Sequence, residues 1–161
     1  MIEITIDTHN LDSALHRLTN AVTDMTPAMT SIGEQIASLI DQTFVNQADP
    51  YGNPWAALSS VTIARRRQGG RGAKILQDTG HLKNSITSNP SRTEVEIGLT
   101  EKYAATHQFG ASKGQYGRTR RNAPIPWGNI PARPFLPEGN IPALWEQDIV
   151  NIIERHIRDS F

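Results

Sequence analysis

A chain of 161 residues suits one ordinary domain burying about two-thirds of its unfolded surface in a single core, and the absence of cysteine excludes both a disulfide framework and a thiolate metal site. The formal charge is zero, yet residues 50–135 hold thirteen Lys/Arg against four Asp/Glu, a net of +9, while the flanks hold three against twelve, a net of −9. Such bipolarity favours contact with an anionic surface or with the opposite end of another copy; the plainer alternative is two sets of solvated faces.

Met1-Ile2-Glu3-Ile4-Thr5-Ile6-Asp7 lacks the basic residues and apolar run of a secretion signal, and no stretch approaches the roughly 18 apolar residues of a membrane span. A soluble, non-secreted protein without membrane contact is therefore expected. Ile2, Ile4 and Ile6 alternate with polar residues and predict a short, half-buried strand. Leu11, Leu15, Leu18, Val22 and Met25 recur at helical spacing, with Asn10 or Asp12 to cap the start. Thr26-Pro27 opens a second helix, because proline is tolerated in a first turn, and Ile32, Ile36, Leu39, Ile40 and Phe44 form its apolar stripe.

The turn formers of 49–54 end that helix and leave Trp55 as an anchor. Leu58-Ser59-Ser60 opens a short helix carrying Arg65, Arg66 and Arg67, which runs into a flexible basic loop containing Arg71. Asp78 and Thr79 are good caps for another short helix through Leu82, after which Ser85–Ser88 and Thr93–Leu99 form a hairpin around Asn89-Pro90-Ser91-Arg92. Glu101–Phe109 reads as a helix stopped by Gly110, the residue that most cheaply adopts a left-handed helix end.

Residues 111–128 have no periodicity, carry Lys113, Arg118, Arg120 and Arg121, and are loosened by Gly114 and Gly117, so a mobile basic arm at about 111–129 is expected in the isolated subunit. Pro131, Pro134 and Pro137 permit an extended or edge segment but forbid a central strand. Leu144, Trp145, Ile149, Ile152, Ile153 and Ile157 mark a long closing helix. Together these elements predict a single α+β domain: a small antiparallel sheet packed against two N-terminal helices and a long C-terminal helix.

Catalytic readings are poorly supported. Asp78, His81 and Ser85 suggest a triad, but a capped short helix gives the same spacing, and a triad is defined by geometry. The five histidines include no HExxH or other close ligand pair, so neither a zinc site nor a cofactor is expected. Glu94 and Glu96 share one face of a strand, but no lysine follows as a metal-dependent nuclease would want; a solvent face is the better reading.

Four motifs occur in order: Asp49-Pro50-x-Gly52-x-Pro54-Trp55-Ala56-x-Leu58-Ser59; Lys74-Ile75-Leu76-x-Asp78-Thr79-Gly80-x-Leu82-x-x-Ser85-Ile86; Tyr103-Ala104-x-x-His107-Gln108-Phe109-Gly110; and Ile130-Pro131-Ala132-Arg133-Pro134-Phe135-Leu136. In these, the chain resembles the Mu-like phage virion morphogenesis family, whose members are described as tail completion proteins and resemble neck proteins of other long-tailed phages. It departs from the family's pattern at Ala57, where proline is expected, and after Leu136, where Pro137-Glu138 precedes Gly139.

The resemblance implies a structural protein without catalysis that completes the tail or joins it to the head. It implies a place at the virion neck or tail end, and in the host cytoplasm during assembly. The expected partners are further copies in a hexamer-like ring, tail-tube or head-connector proteins, and DNA in passing. Phe109, Ile130, Arg133, Phe135 and Leu136 are the expected subunit or virion contacts: prolines pre-order their segment, and Arg133 offers a planar, multi-donor group. The alternatives are a Phe109 packed on its own core and an intrachain edge segment. Arg65, Arg66, Arg67, Arg71, Lys74, Lys113, Arg118, Arg120 and Arg121 are candidate anion contacts. They leave open a second reading, a non-sequence-specific nucleic-acid-binding accessory protein whose affinity falls with salt.

Overall fold

The computed structural model describes residues 9–70 and 72–160. The expected strand at Ile2, Ile4 and Ile6 lies outside the described residues, as does Arg71. The architecture is α+β, built around α2 (Thr26–Asn46), which packs on one side against the hairpin β1 (Ile86–Pro90) and β2 (Val95–Leu99) and on another against α5 (Ala143–Arg158). α1 (His9–Thr23) lies against α5. The smaller helices α3 (Ser60–Gln68) and α4 (Ala104–Phe109) belong to the connections.

Local chemistry explains the long helix. Pro27 occupies its first turn, and the Asp24 carboxylate accepts from the Thr26 N–H at 3.1 Å and hydroxyl at 2.6 Å, satisfying a donor with no partner inside the helix. These bonds hold the Asp24 carboxyl below its usual pKa. At the far end Gln47 turns left-handed (φ 53°), and its side-chain oxygen accepts the Ile75 N–H at 2.8 Å, so the strained residue ties the helix end to the next motif. Asp49 then accepts from the N–H groups of Tyr51 (2.9 Å) and Asn53 (2.8 Å), closing the reversal that brings Trp55 inward.

The hairpin is antiparallel, with Ile86 opposite Leu99, Ser88 opposite Ile97 and Pro90 opposite Val95. Where α2 crosses it, Gly33 is required by close approach: a Cβ there would overlap the Ser88 hydroxyl and sit 3.1 Å from a Val95 methyl. The core gathers Ile40, Phe44, Trp55, Leu82, Ala104, Phe135 and Trp145. Phe44 is its centre, edge-on to Trp55 and stacked on Phe135, each with ring centroids 5.5 Å apart.

Two elements differ from their sequence-based expectation. No α-helix forms from Asp78 to Leu82: Gly80 takes φ +80°, which a right-handed helix cannot continue, and the Asp78 carboxylate lies 3.5 Å from Arg66. A 3₁₀ turn at Lys83–Ser85 follows. The helix expected from Glu101 starts only at Ala104. α1 has the predicted periodicity but no buried residue, with Leu11, Leu15 and Val22 all more than half exposed.

Candidate docking surface

α4 turns Ala104 and Gln108 inward, four residues apart on one face, and leaves Phe109 69% exposed. Phe109 is thus not packed on its own core. The helix ends at Gly110 with φ 74° and ψ 178°, an extended mirror-image conformation open essentially to glycine, instead of the left-handed helix end expected. The chain then leaves through residues 111–129 and returns as the extended segment 130–136.

That segment is fastened to α4 at three levels. Ala111 and Ile130 exchange backbone bonds at 2.9 and 2.7 Å, the Arg133 N–H donates to the His107 carbonyl at 2.7 Å, and the Gln108 side chain holds Phe135 and Leu136. Pro131 and Pro134 sit between these donors, so the residues that cannot donate fall where no bond is needed. The Trp55 indole N–H donates to the Pro134 carbonyl at 2.7 Å. Arg133 is 6% exposed, and its Nε and Nη2 donate to the carbonyls of Ala56 at 2.8 Å and Ala57 at 3.1 Å.

These contacts correct part of the sequence reading. Arg133 and Phe135, expected to meet partners, are buried in their own subunit, and Leu136 packs at the edge of that core. The reason is geometric: the proline-braced segment supplies an aromatic ring beneath Phe44 and a fixed cation beneath the Ala56-Ala57 carbonyls. Ile130 is half-buried in its bridge to Ala111, which leaves Phe109 as the fully presented member of the expected contact set. Sequence reasoning placed Gln108 in the third motif without giving it this role, whose signal was a polar residue on the inward face of a short helix.

Residues 111–129 form a self-bonded, irregular hairpin. Tyr116 N–H donates to the Ile125 carbonyl, Ile125 N–H to the Gly117 carbonyl, and Thr119 N–H to the Ala123 carbonyl, each at 2.8 Å. Lys113, Arg118, Arg120 and Arg121 are exposed on it, as are Tyr116 and Trp127, the latter at 78%. Of the α3 cluster, Arg65, Arg67 and the neighbouring Lys74 are exposed, whereas Arg66 is engaged within the chain, 3.5 Å from the Asp78 carboxylate and donating to the Lys74 carbonyl at 2.7 Å. Arg66 thereby ties α3 to the segment that follows it.

A cleft of about 640 Å³ separates α3 from the foot of this arm, lined among others by Arg66, Asp78, His81, His107, Asn129 and Arg133. The suggested triad is not assembled: Asp78 faces Arg66, and the Ser85 hydroxyl donates to the Leu82 carbonyl at 2.8 Å. Glu94 and Glu96 are exposed, and among the described residues no group of three or more His, Asp or Glu is placed to hold a metal ion. Burial and the nearby Arg133 charge lower the His107 pKa, and its Nδ1 is enclosed without a hydrogen-bond partner.

The four motifs read from the sequence thus converge on one core, through Trp55 to Pro134, Gln47 to Ile75, and Gln108 to Phe135. The model of the phage virion morphogenesis family matches residues 6–158. Mu-like prophage FluMu G protein 2 of Haemophilus influenzae is 39% identical over 163 residues, covering 100% of this chain and 96% of its own. Putative capsid assembly protein G of Escherichia phage Mu is 29% identical over 158 residues, covering 97% and 94%. No solved structure matches the chain. With one family model spanning nearly all of the sequence and a relative aligned end to end, the chain belongs to the phage virion morphogenesis family.

Proposed function

We propose that the protein is a structural subunit that completes the phage tail or joins it to the head, acting in a homo-oligomeric ring at the neck or tail end. Membership of a virion morphogenesis family gives the general role, and the name of the phage Mu relative points to particle assembly. The observation that carries the docking role is the presentation of large side chains outside the core: Trp127 at 78%, Phe109 at 69% and Leu144 at 81% exposure. Side chains of this size left uncovered on one subunit suit contact with neighbours. Phe109 and Ile130 remain the proposed contacts from the 103–136 region, with tail-tube or head-connector proteins as the other partners.

The experiment is to image particles from a phage lacking this gene product. Tail-less heads beside free tails support a joining role, and tubes of uncontrolled length support termination. Fully joined, infectious particles would overturn the proposal.

The nucleic-acid reading keeps one specific observation in its favour: the arm presents four exposed cations and no acidic residue over 111–129. Phosphate contact by those cations predicts duplex affinity that falls steeply with added salt, measurable by titration of the isolated subunit.

A further inference from the structure

The arm at 111–129 has a formed shape without being buried. Its hydrogen bonds run mainly within itself, and its ties to the body include the Ala111–Ile130 pair and the Thr106–Tyr116 hydroxyl contact at 2.9 Å. Its outer surface combines Lys113, Arg118, Arg120 and Arg121 with the rings of Tyr116 and Trp127. Because its backbone bonds already fix the shape, docking would lose little conformational entropy.

A surface of opposite character lies on the helical layer. α2 contains Glu34 and Asp41 and no Lys or Arg over its 21 residues, and Asp41 is engaged by Lys83 at 2.9 Å. Between α2 and α5 runs a shallow groove of about 380 Å³ lined by Ser31, Glu34, Gln35, Asp148, Asn151, Ile152 and Arg155, in which the Gln35 amide donates to the Asp148 carboxylate at 2.8 Å. Leu144 stands one helical turn before Asp148 on the same face of α5 and is 81% exposed. Acidic groups beside an uncovered leucine mirror the arm's cations beside an uncovered tryptophan.

We propose that the arm of one copy docks in the α2–α5 groove of a second copy, its arginines facing Glu34 and Asp148 and its aromatic rings covering Leu144. Charge complementarity selects this occupant. A duplex would satisfy the cations and leave the apolar groups of both surfaces in water, whereas a second copy covers all of them. The two surfaces differ, so the contact is head-to-tail and closes into a ring when the rotation permits. This inference rests on the ring reading above and names the surfaces that make the ring.

The test is a charge swap read by sedimentation. One variant carries R118E, R120E and R121E on the arm; the other carries E34K and D148K in the groove; circular dichroism checks that each is folded. Wild-type protein is expected to self-associate at high concentration, and each variant alone to associate at least about tenfold more weakly. An equimolar mixture restores association, because the reversed arm fits the reversed groove while the unchanged arm fits the unchanged groove. Trp127→Ala, which keeps every charge, weakens wild-type association as well.

Wild-type protein that stays monomeric, variants that associate normally, or a mixture that stays dissociated would overturn the arm–groove contact. So would arm variants that lose duplex binding and keep self-association. Variants that associate normally yet yield unjoined particles would leave the tail role standing and sink only this contact.

Discussion

The side-chain amide of Gln108 is bonded to the backbone of Phe135, its oxygen accepting the Phe135 N–H at 3.0 Å and the adjacent Leu136 N–H at 3.1 Å. The same amide's nitrogen donates to the Leu136 carbonyl at 2.9 Å and to the Glu138 carboxylate at 3.0 Å. A single neutral side chain, 4% exposed, thereby takes the place of a neighbouring strand for a segment whose prolines bar it from a regular sheet.

Gln108→Leu keeps the volume and removes every one of these bonds, leaving the Phe135 and Leu136 N–H groups without partners in a dry environment. Unmet donors of this kind each cost about 1–3 kcal/mol, so a loss of about 2–6 kcal/mol for the two is expected in chemical denaturation. Gln108→Glu keeps an acceptor but sets a carboxylate against the Leu136 carbonyl and Glu138, and is expected to be at least as destabilising.

Arg133→Lys retains the positive charge and loses the planar fork that reaches Ala56 and Ala57 together. One charged hydrogen bond lost in a buried place corresponds to about 2 kcal/mol, so the lysine variant is expected to melt well below wild type. Equal melting temperatures would show that the fork geometry contributes nothing.

Gly110→Ala strains the backbone in two ways. A Cβ at this position would sit 2.8 Å from the Ile130 carbonyl oxygen and 2.9 Å from the Ala132 nitrogen, both backbone atoms, while φ stays at +74°. A destabilisation of about 2–3 kcal/mol is expected, together with loss of hydrogen-exchange protection at the Ala111 and Ile130 amides that bond across this approach.

His107 makes stability depend on pH. Burial first, and the Arg133 charge second, place its folded-state pKa below the ordinary 6.5, so on acidification the unfolded chain takes up the proton before the folded one does. The stabilisation is complete above that ordinary value and is lost as pH falls through the interval down to the folded pKa. Between pH 6.5 and about 5, above most carboxylate titrations, wild-type stability is expected to fall more steeply than that of His107→Gln. Parallel profiles would remove His107 as the cause.

Much of the secondary structure was written in local chemistry. The period of Ile32, Ile36, Ile40 and Phe44 with Pro27 at the front determined α2, the Ser59 oxygen accepting the Thr62 N–H at 3.2 Å determined the start of α3, and the alternation of Val95, Ile97 and Leu99 determined β2. The order of the four motifs likewise carried the family. Tertiary structure alone decided what those motifs do, because Phe44, Trp55, Gln108 and Phe135 meet only after long loops close. An extended, proline-rich run has the same local appearance whether it ends against a partner or beneath its own core. Only packing showed that Phe135 fills the centre, that Arg133 is enclosed, and that Phe109, Trp127 and Leu144 are among the large apolar groups left outside.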